Sequence, residues 1–229
     1  MISHKHKCIF IHIPKTAGTS ITNHYFYAKN LDWRVPNYDV LYGWCPKRNI
    51  HLQHATSRQL LELDLITEEI WKSYYKFTFV RNPYDRAYSD YLWMMTDRNV
   101  NGSFFEYLNK RGEFESTLKD NSSKYYRGDH LINQTDFFDF SGIMAMDYIA
   151  RFEKINLAIR KINKRLNLSE PLTKHFQKNT NRSKYYADFY NEESRLWVYN
   201  KYKTDLELLK YRFDKKKSFK AKLASLLKH

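Results

Sequence analysis

Lys7–Ile13 (KCIFIHI) is a short, β-branched apolar run, the pattern of a buried strand. Pro14–Gly18 interrupts it as a loop, and from Thr19 onward (TSITNHYFYAKN) the residues have helical character. Strand, loop and helix in that order open many α/β nucleotide-binding folds. Leu60, Leu61 and Leu65 predict a helix over Ser57–Leu65, and Thr67 suits the cap of a second over Thr67–Lys72. Tyr75–Val80 (YKFTFV) alternates as a strand. Pro83 fits the first turn of a helix over Tyr84–Met95. A short helix is expected at Ser103–Arg111 and a third strand at Asp147–Phe152. Glu153–Leu166 is amphipathic, with Ile155, Ala158, Ile159 and Ile162 on one face. A last helix, Asn191–Leu209, carries Leu196, Tyr199, Tyr202, Leu206 and Leu209 as its stripe. Residues 31–50 have no period and read as an irregular excursion, 112–135 as a long polar surface loop, and 171–184 as a polar, basic loop. No repeat and no Gly/Ser linker divides the chain, so the pattern predicts one α/β domain over residues 1–211 and a tail at 212–229.

Composition narrows the class. Of 229 residues, 42% are hydrophobic, enough for one sizeable core and too many for a disordered chain. No apolar run approaches the ~18 residues of a membrane span. The polar start, Met1–Lys7, has no apolar signal core, so export is not expected and a cytoplasmic location is. Two cysteines cannot build a disulfide framework, and no metal-ligand cluster is visible. The formal charge is +14, and residues 210–229, with eight Lys and Arg against one Asp, hold half of it. The body is moderately basic, which suits a polyanionic ligand: nucleic acid, anionic glycan, nucleotide or acidic membrane. Nineteen Tyr, fifteen Phe and five Trp would also suit stacking on sugar or base faces.

Two segments carry candidate chemistry. In Pro14-Lys15-Thr16-Ala17-Gly18-Thr19-Ser20 a loop meets a helix N-terminus, where free N–H groups and the helix dipole favour an anion. Gly18 would admit an oxyanion close to the backbone, Thr16, Thr19 and Ser20 can donate hydrogen bonds, and Lys15 adds a point charge. The glycine–lysine order of a Walker A loop is absent. An ordinary helix capped by Thr19 or Ser20 is the plainer alternative. In Phe79–Ser89 (FVRNPYDRAYS), Arg81 ends a strand and Ser89 lies two turns into the next helix, a pairing that suits a terminal phosphate. An Arg81–Asp85 or Asp85–Arg86 surface pair would explain the same residues.

Together, PKTAGTS and, about 65 residues later, FVRNPYDRAYS closely resemble the sulfotransferases that use 3′-phosphoadenosine 5′-phosphosulfate (PAPS). The resemblance is to the carbohydrate branch (sulfotransferase family 2), with heparan and chondroitin sulfotransferases and many bacterial relatives, and it points to a bacterial member. IHLQHAT (50–56), QTDFF with DYIARFEKI (134–138 and 147–155) and residues 186–211 support it, so it spans about residues 7–211. It implies a P-loop-like three-layer α/β fold with a central parallel sheet flanked by helices. Lys15, Thr16, Ala17, Gly18, Thr19 and Ser20 would bind the 5′-phosphosulfate, and Arg81 and Ser89 the 3′-phosphate. No metal is required in that family.

Sulfuryl transfer needs an acceptor oxygen relieved of its proton, an in-line approach and a neutralised leaving phosphate. Lys15 is the candidate for the charge on the bridging oxygen. A histidine is the natural proton acceptor. His4, His6 and His229 lie near the termini, His12 is inside the first strand and His24 on the first helix, which leaves His51, His54, His130 and His175. The resemblance favours His54 as base, with His51 second. It also assigns the basic loop to the nucleotide, through Arg182 and Lys184. Lys124 and Arg127, with Tyr125 and Tyr126, could meet uronates or sulfates of a carbohydrate or glycolipid acceptor. Phe219, Leu223, Leu226 and Leu227 lie at helical spacing among the tail lysines, so the tail could contact an anionic membrane surface. Two other classes stay open: a P-loop nucleotide kinase, which lacks Walker A order and an obvious Mg²⁺ carboxylate, and a non-catalytic polyanion-binding module. No nucleic-acid motif is present.

Overall fold

The computed structural model describes residues 1–26, 30–138, 146–168 and 185–214. The basic loop at 171–184 and the amphipathic stretch of the tail lie outside them. In chain order the first elements are β1 (Ile2–Ser3), β2 (Cys8–Ile11), α1 (Gly18–Tyr25), β3 (Trp44–Cys45), β4 (Ile50–His51), α2 (Ser57–Glu62) and α3 (Glu68–Ser73). Then come β5 (Tyr75–Val80), α4 (Pro83–Arg98), α5 (Phe104–Leu108) and α6 (Glu115–Lys119). The last are β6 (Tyr148–Arg151), α7 (Ile155–Arg165), α8 (Tyr186–Phe189), α9 (Glu192–Lys201) and α10 (Lys203–Leu208).

The central sheet runs β1-β2-β5-β6. β2, β5 and β6 are parallel, and β1 adds an antiparallel edge. Every residue of β2 is buried, as expected of a parallel strand covered on both faces. Its side chains divide accordingly. Cys8 and Phe10 join Phe77, Phe79, Ala150 and the apolar faces of α1 and α7 in one core. Ile9 and Ile11 join Val80 and residues of α2, α4, α5 and α10 in the other. The mixed α/β architecture with helices on both faces is therefore as expected. Parallel neighbours end on the same edge, so the turns after β2 and β5 lie side by side, where open α/β sheets bind ligands.

The helix starts follow their caps. Asn82 Oδ1 accepts from the Tyr84 amide at 3.1 Å with Pro83 in the first turn of α4. Thr67 caps α3, and Thr56 with Gln59 forms a capping box that starts α2. Other expectations need correction. The polar-looking start forms β1 with Met1 buried beneath it, because Ile2 pairs with Ile9. Residues 31–50 hold the β3–β4 ribbon, in which Trp44 pairs with His51. The last helix is two helices. The chain breaks at Tyr202 (φ −116°), so Leu196 and Tyr199 face solvent while Val198, Tyr202 and Leu206 are buried. The break turns Asp205 inward, where its carboxylate accepts from the Gln134 and Thr135 amides at 2.8 and 3.0 Å. The largest difference is at 112–135. This stretch is not a surface loop but 3₁₀ turns around α6 that bury Phe114, Leu118, His130 and Leu131.

Candidate active site

The turn after β2 carries its left-handed backbone at Lys15 (φ 67°) and Ala17 (φ 82°), not at glycine. Alternating handedness points successive N–H groups inward, an arrangement that cradles anions. Ala17 is the N-cap of α1 and no side chain caps that helix, so neither Thr19 nor Ser20 does so. The amides of Ala17, Gly18 and Thr19 find no acceptor among the described residues. Gly18 has a second reason to be glycine: a Cβ there would lie 1.6 Å from His12 Nε2. Thr16 is fully buried and its hydroxyl donates to Ile13 O at 2.7 Å, so it braces the turn. The Lys15 ammonium sits 4.6 Å from the centre of the Trp93 ring. Burial pulls its pKa down to about 8, against the pull of Asp90, with Arg81 lowering it further. A partly desolvated cation with no carboxylate in contact among the described residues is poised to gain from an anion.

Arg81, at the end of β5, is tied to that turn. Its Nη1 donates to Lys15 O at 2.9 Å and its Nε to Asp85 at 2.8 Å, and its guanidinium lies 4.4 Å from the centre of the Phe152 ring. The Arg81–Asp85 pair therefore exists but is buried, not a surface pair. Gln134 holds the Arg81 backbone from both sides, its Oε1 accepting at 2.8 Å and its Nε2 donating at 2.9 Å. Ser89 is buried on α4 one turn beyond Asp85, on the same helix face. Arg86 is 2% exposed and donates to Pro14 O, Ile132 O and His130 O at 3.2, 3.0 and 2.8 Å. It clamps the anion turn to the 128–132 segment.

That segment brings the histidines together. His54 closes a 3₁₀ turn just before the α2 cap. Its Nδ1 lies 2.5 Å from Asp129 Oδ2. Burial lowers the His54 pKa while Asp129 raises it, and the balance stays below the ordinary histidine value. Burial raises the Asp129 pKa, but the facing imidazoles, His54 first, hold it well below the usual carboxylate range. The pair is thus a carboxylate accepting Nδ1–H from a neutral imidazole, which leaves a lone pair on Nε2 of His54. The ring packs edge-on against His12 at 5.0 Å and His130 at 5.3 Å. His130 in turn stacks on Trp93 at 5.1 Å. His54 is thereby joined to the anion turn by two routes, through His12 to Gly18 and through His130 and Trp93 to Lys15.

His51 differs. Arg127 Nη1 stands 2.6 Å from its Nε2. Lys124 O stands 3.0 Å from the same nitrogen, so Nε2 faces both a donor and an acceptor, while His51 Nδ1 is buried with no partner among the described residues. Burial, with His54 and Arg127, lowers the His51 pKa to about 3. Arg127 itself is buried, also donating to Lys124 O and Tyr126 O, with its guanidinium 5.2 Å from the Trp33 ring centre. The Lys124 ammonium is 5.5 Å from the Tyr125 ring, and Tyr125 is exposed. Trp33, from the unassigned 31–50 excursion, joins this aromatic wall 6.0 Å from Tyr125. Arg182, Lys184 and His175 lie outside the described residues.

The structure therefore gathers Lys15 to Ser20, Arg81, His54, His51 and Arg127 at one edge of the sheet, and buries Ser89 on α4 with no hydrogen bond to them among the described residues. Sequence reasoning missed Asp129, Asp90, Arg86 and Trp93. Asp129 follows Gly128, whose Cβ would meet Leu118 O at 2.4 Å, a packing signal that a reading of 112–135 as exposed loop obscures.

A family model described as "Sulfotransferase family" matches residues 1–212. The same comparisons give no match among curated proteins or solved structures.

Proposed function

The chain belongs to the sulfotransferase family, and from that premise we propose that it moves the sulfuryl group of PAPS to a hydroxyl of a carbohydrate acceptor, with His54 as base. The observation that carries the proposal is the Asp129–His54 pair. Asp129 fixes one ring nitrogen at 2.5 Å, the other keeps its lone pair, and the ring lies one residue away from a turn with free amides and a desolvated lysine.

The acceptor hydroxyl gives its proton to His54 Nε2. Its oxygen forms the new S–O bond as the bond from sulfur to the 5′-phosphate oxygen breaks. The electron pair leaves with adenosine 3′,5′-bisphosphate, and Lys15 with the Ala17–Thr19 amides balances the charge that builds there. Arg81 and Ser89 would hold the 3′-phosphate. Asp129 acts through His54 as a positioning residue: it sets the tautomer and steadies the imidazolium. His51 is the second candidate: Arg127 Nη1 and Lys124 O both crowd its Nε2, and among the described residues no carboxylate holds its ring as Asp129 holds His54.

The test is label transfer from ³⁵S-PAPS to pooled glycans by wild type, His54→Gln and His51→Gln. Transfer lost in His54→Gln, with bisphosphate affinity within about twofold, is expected of an absent proton acceptor. Undiminished transfer by that variant would reject the base assignment.

A further inference from the structure

Proton transfer at His54 leaves two neighbouring lone pairs unused. His130 is 5% exposed and its Nδ1 is held by Asp90 at 2.7 Å, while its Nε2 is buried with no partner. Asp129 Oδ1 is buried and equally unpartnered. Native interiors rarely leave such atoms unserved. Both belong to one constellation: one nitrogen or carboxylate oxygen from each of His54, Asp129 and His130 lies within 4.8 Å of the others.

The donor set has a chemical preference. Two imidazoles and one carboxylate suit Zn²⁺ and its spectroscopic substitute Co²⁺, whereas Mg²⁺ and Ca²⁺ seek oxygen ligands only. The carboxylate of Asp90 on the far nitrogen of His130 fixes that ring with its lone pair inward, the usual outer partner of a metal-bound histidine. Three protein ligands would leave a fourth coordination place open to water, the ligand count of zinc sites that keep an open position.

We propose that His54, Asp129 and His130 form a zinc site, and that zinc there blocks sulfuryl transfer by occupying the imidazole that must take the acceptor's proton. The binding half stands on the ligand geometry; the blocking half rests on the reading of His54 as base. The metal-free protein is then the active form, and zinc is a reversible inhibitor.

The metal-stripped full chain is titrated with Co²⁺ and followed by visible absorption and proton NMR, then with Zn²⁺ during label transfer from PAPS. One equivalent of Co²⁺ per chain, displaced by Zn²⁺, is expected, with a hyperfine-shifted exchangeable signal from the His130 Nδ1–H held by Asp90. Affinity should fall at least about tenfold in His130→Gln and in Asp129→Asn. It should be unchanged in His4→Gln/His6→Gln, which removes the imidazoles near the chain start. No Co²⁺ bound by wild type, no shifted exchangeable signal, or binding that survives both site variants overturns the site. The NMR result needs no variant, so a substitution that fails to fold cannot rescue the idea. Transfer that falls in step with Zn²⁺ occupancy supports the blocking half. Full transfer with the site occupied overturns that half and the His54 reading together, while leaving the metal site standing.

Discussion

Gly18→Ala tests the contact between the anion turn and the histidine cluster. An alanine Cβ would stand 1.6, 2.1 and 2.4 Å from Nε2, Cε1 and Cδ2 of His12, so the ring must retreat or the turn must lift. Retreat is obstructed: His12 stacks on Phe10 at 5.3 Å, and Phe10 is itself packed by Phe26 and Phe77. Overpacking of this kind costs about 1–3 kcal/mol. Alanine returns up to about 1 kcal/mol of helix propensity, less at a first helical position. The net expectation is a loss of about 1–2 kcal/mol, or roughly 2–8 °C in Tm for a domain of this size. Function should suffer more, because a displacement of about 1 Å at a reacting group can cost about a hundredfold. The double variant with His12→Ala removes the clash, so a denaturation cycle should give a favourable coupling of about 1 kcal/mol or more. Gly18→Ala with wild-type stability, bisphosphate affinity and transfer rate would refute the packing argument.

Asp129→Asn removes the charge behind His54 and lets an amide N–H face Nδ1, which favours the wrong tautomer, and kcat should fall by about a hundredfold or more with bisphosphate affinity nearly unchanged in a direct titration. Arg86→Met strips three carbonyls, two of them buried, of their donor and should cost about 3 kcal/mol or more, read as a lower denaturation midpoint. Lys15 supplies a pH signature, with Asp90, Arg81 and Asp97 as the charges that face it. Its free-state pKa is about 8. An anion binds the protonated form and raises that value, so bisphosphate affinity should be flat below pH about 8 and fall by up to about tenfold per unit above it. Lys15→Arg, which stays charged, should flatten that limb in calorimetric titrations.

Much of the fold was legible because β2 and β5 are buried and read as strands from sequence alone, and because Thr67 and Pro83 mark helix starts by local chemistry. The anion turn was legible for the same reason, since lysine, glycine and hydroxyls between a strand and a helix carry their meaning locally. The carboxylate behind His54 was not. Asp129 is 75 residues from His54, and nothing in the spacing of GDH at 128–130 announces that the segment turns inward. The segment is held by Leu118, whose carbonyl closes on Gly128, and by Arg86, which donates to His130 O and Ile132 O, contacts made only once α4 is in place. Gly18 was read as room for an oxyanion, whereas its missing Cβ also makes room for His12. The reading of the last helix failed at Tyr202 because helical periodicity continues across a break that accompanies a tertiary contact, the docking of Asp205 on Gln134 and Thr135.

The most direct measurement is a thermal shift with adenosine 3′,5′-bisphosphate beside ATP with Mg²⁺. At a concentration a hundred times its Kd, a ligand that binds only the folded chain adds about 2.7 kcal/mol of stability. A rise with the bisphosphate alone, lost in Lys15→Ala and in Arg81→Ala, is the expected result for a chain that uses PAPS at this turn. No rise, or a larger one with ATP and Mg²⁺, would contradict it and favour a kinase or a non-catalytic anion-binding protein.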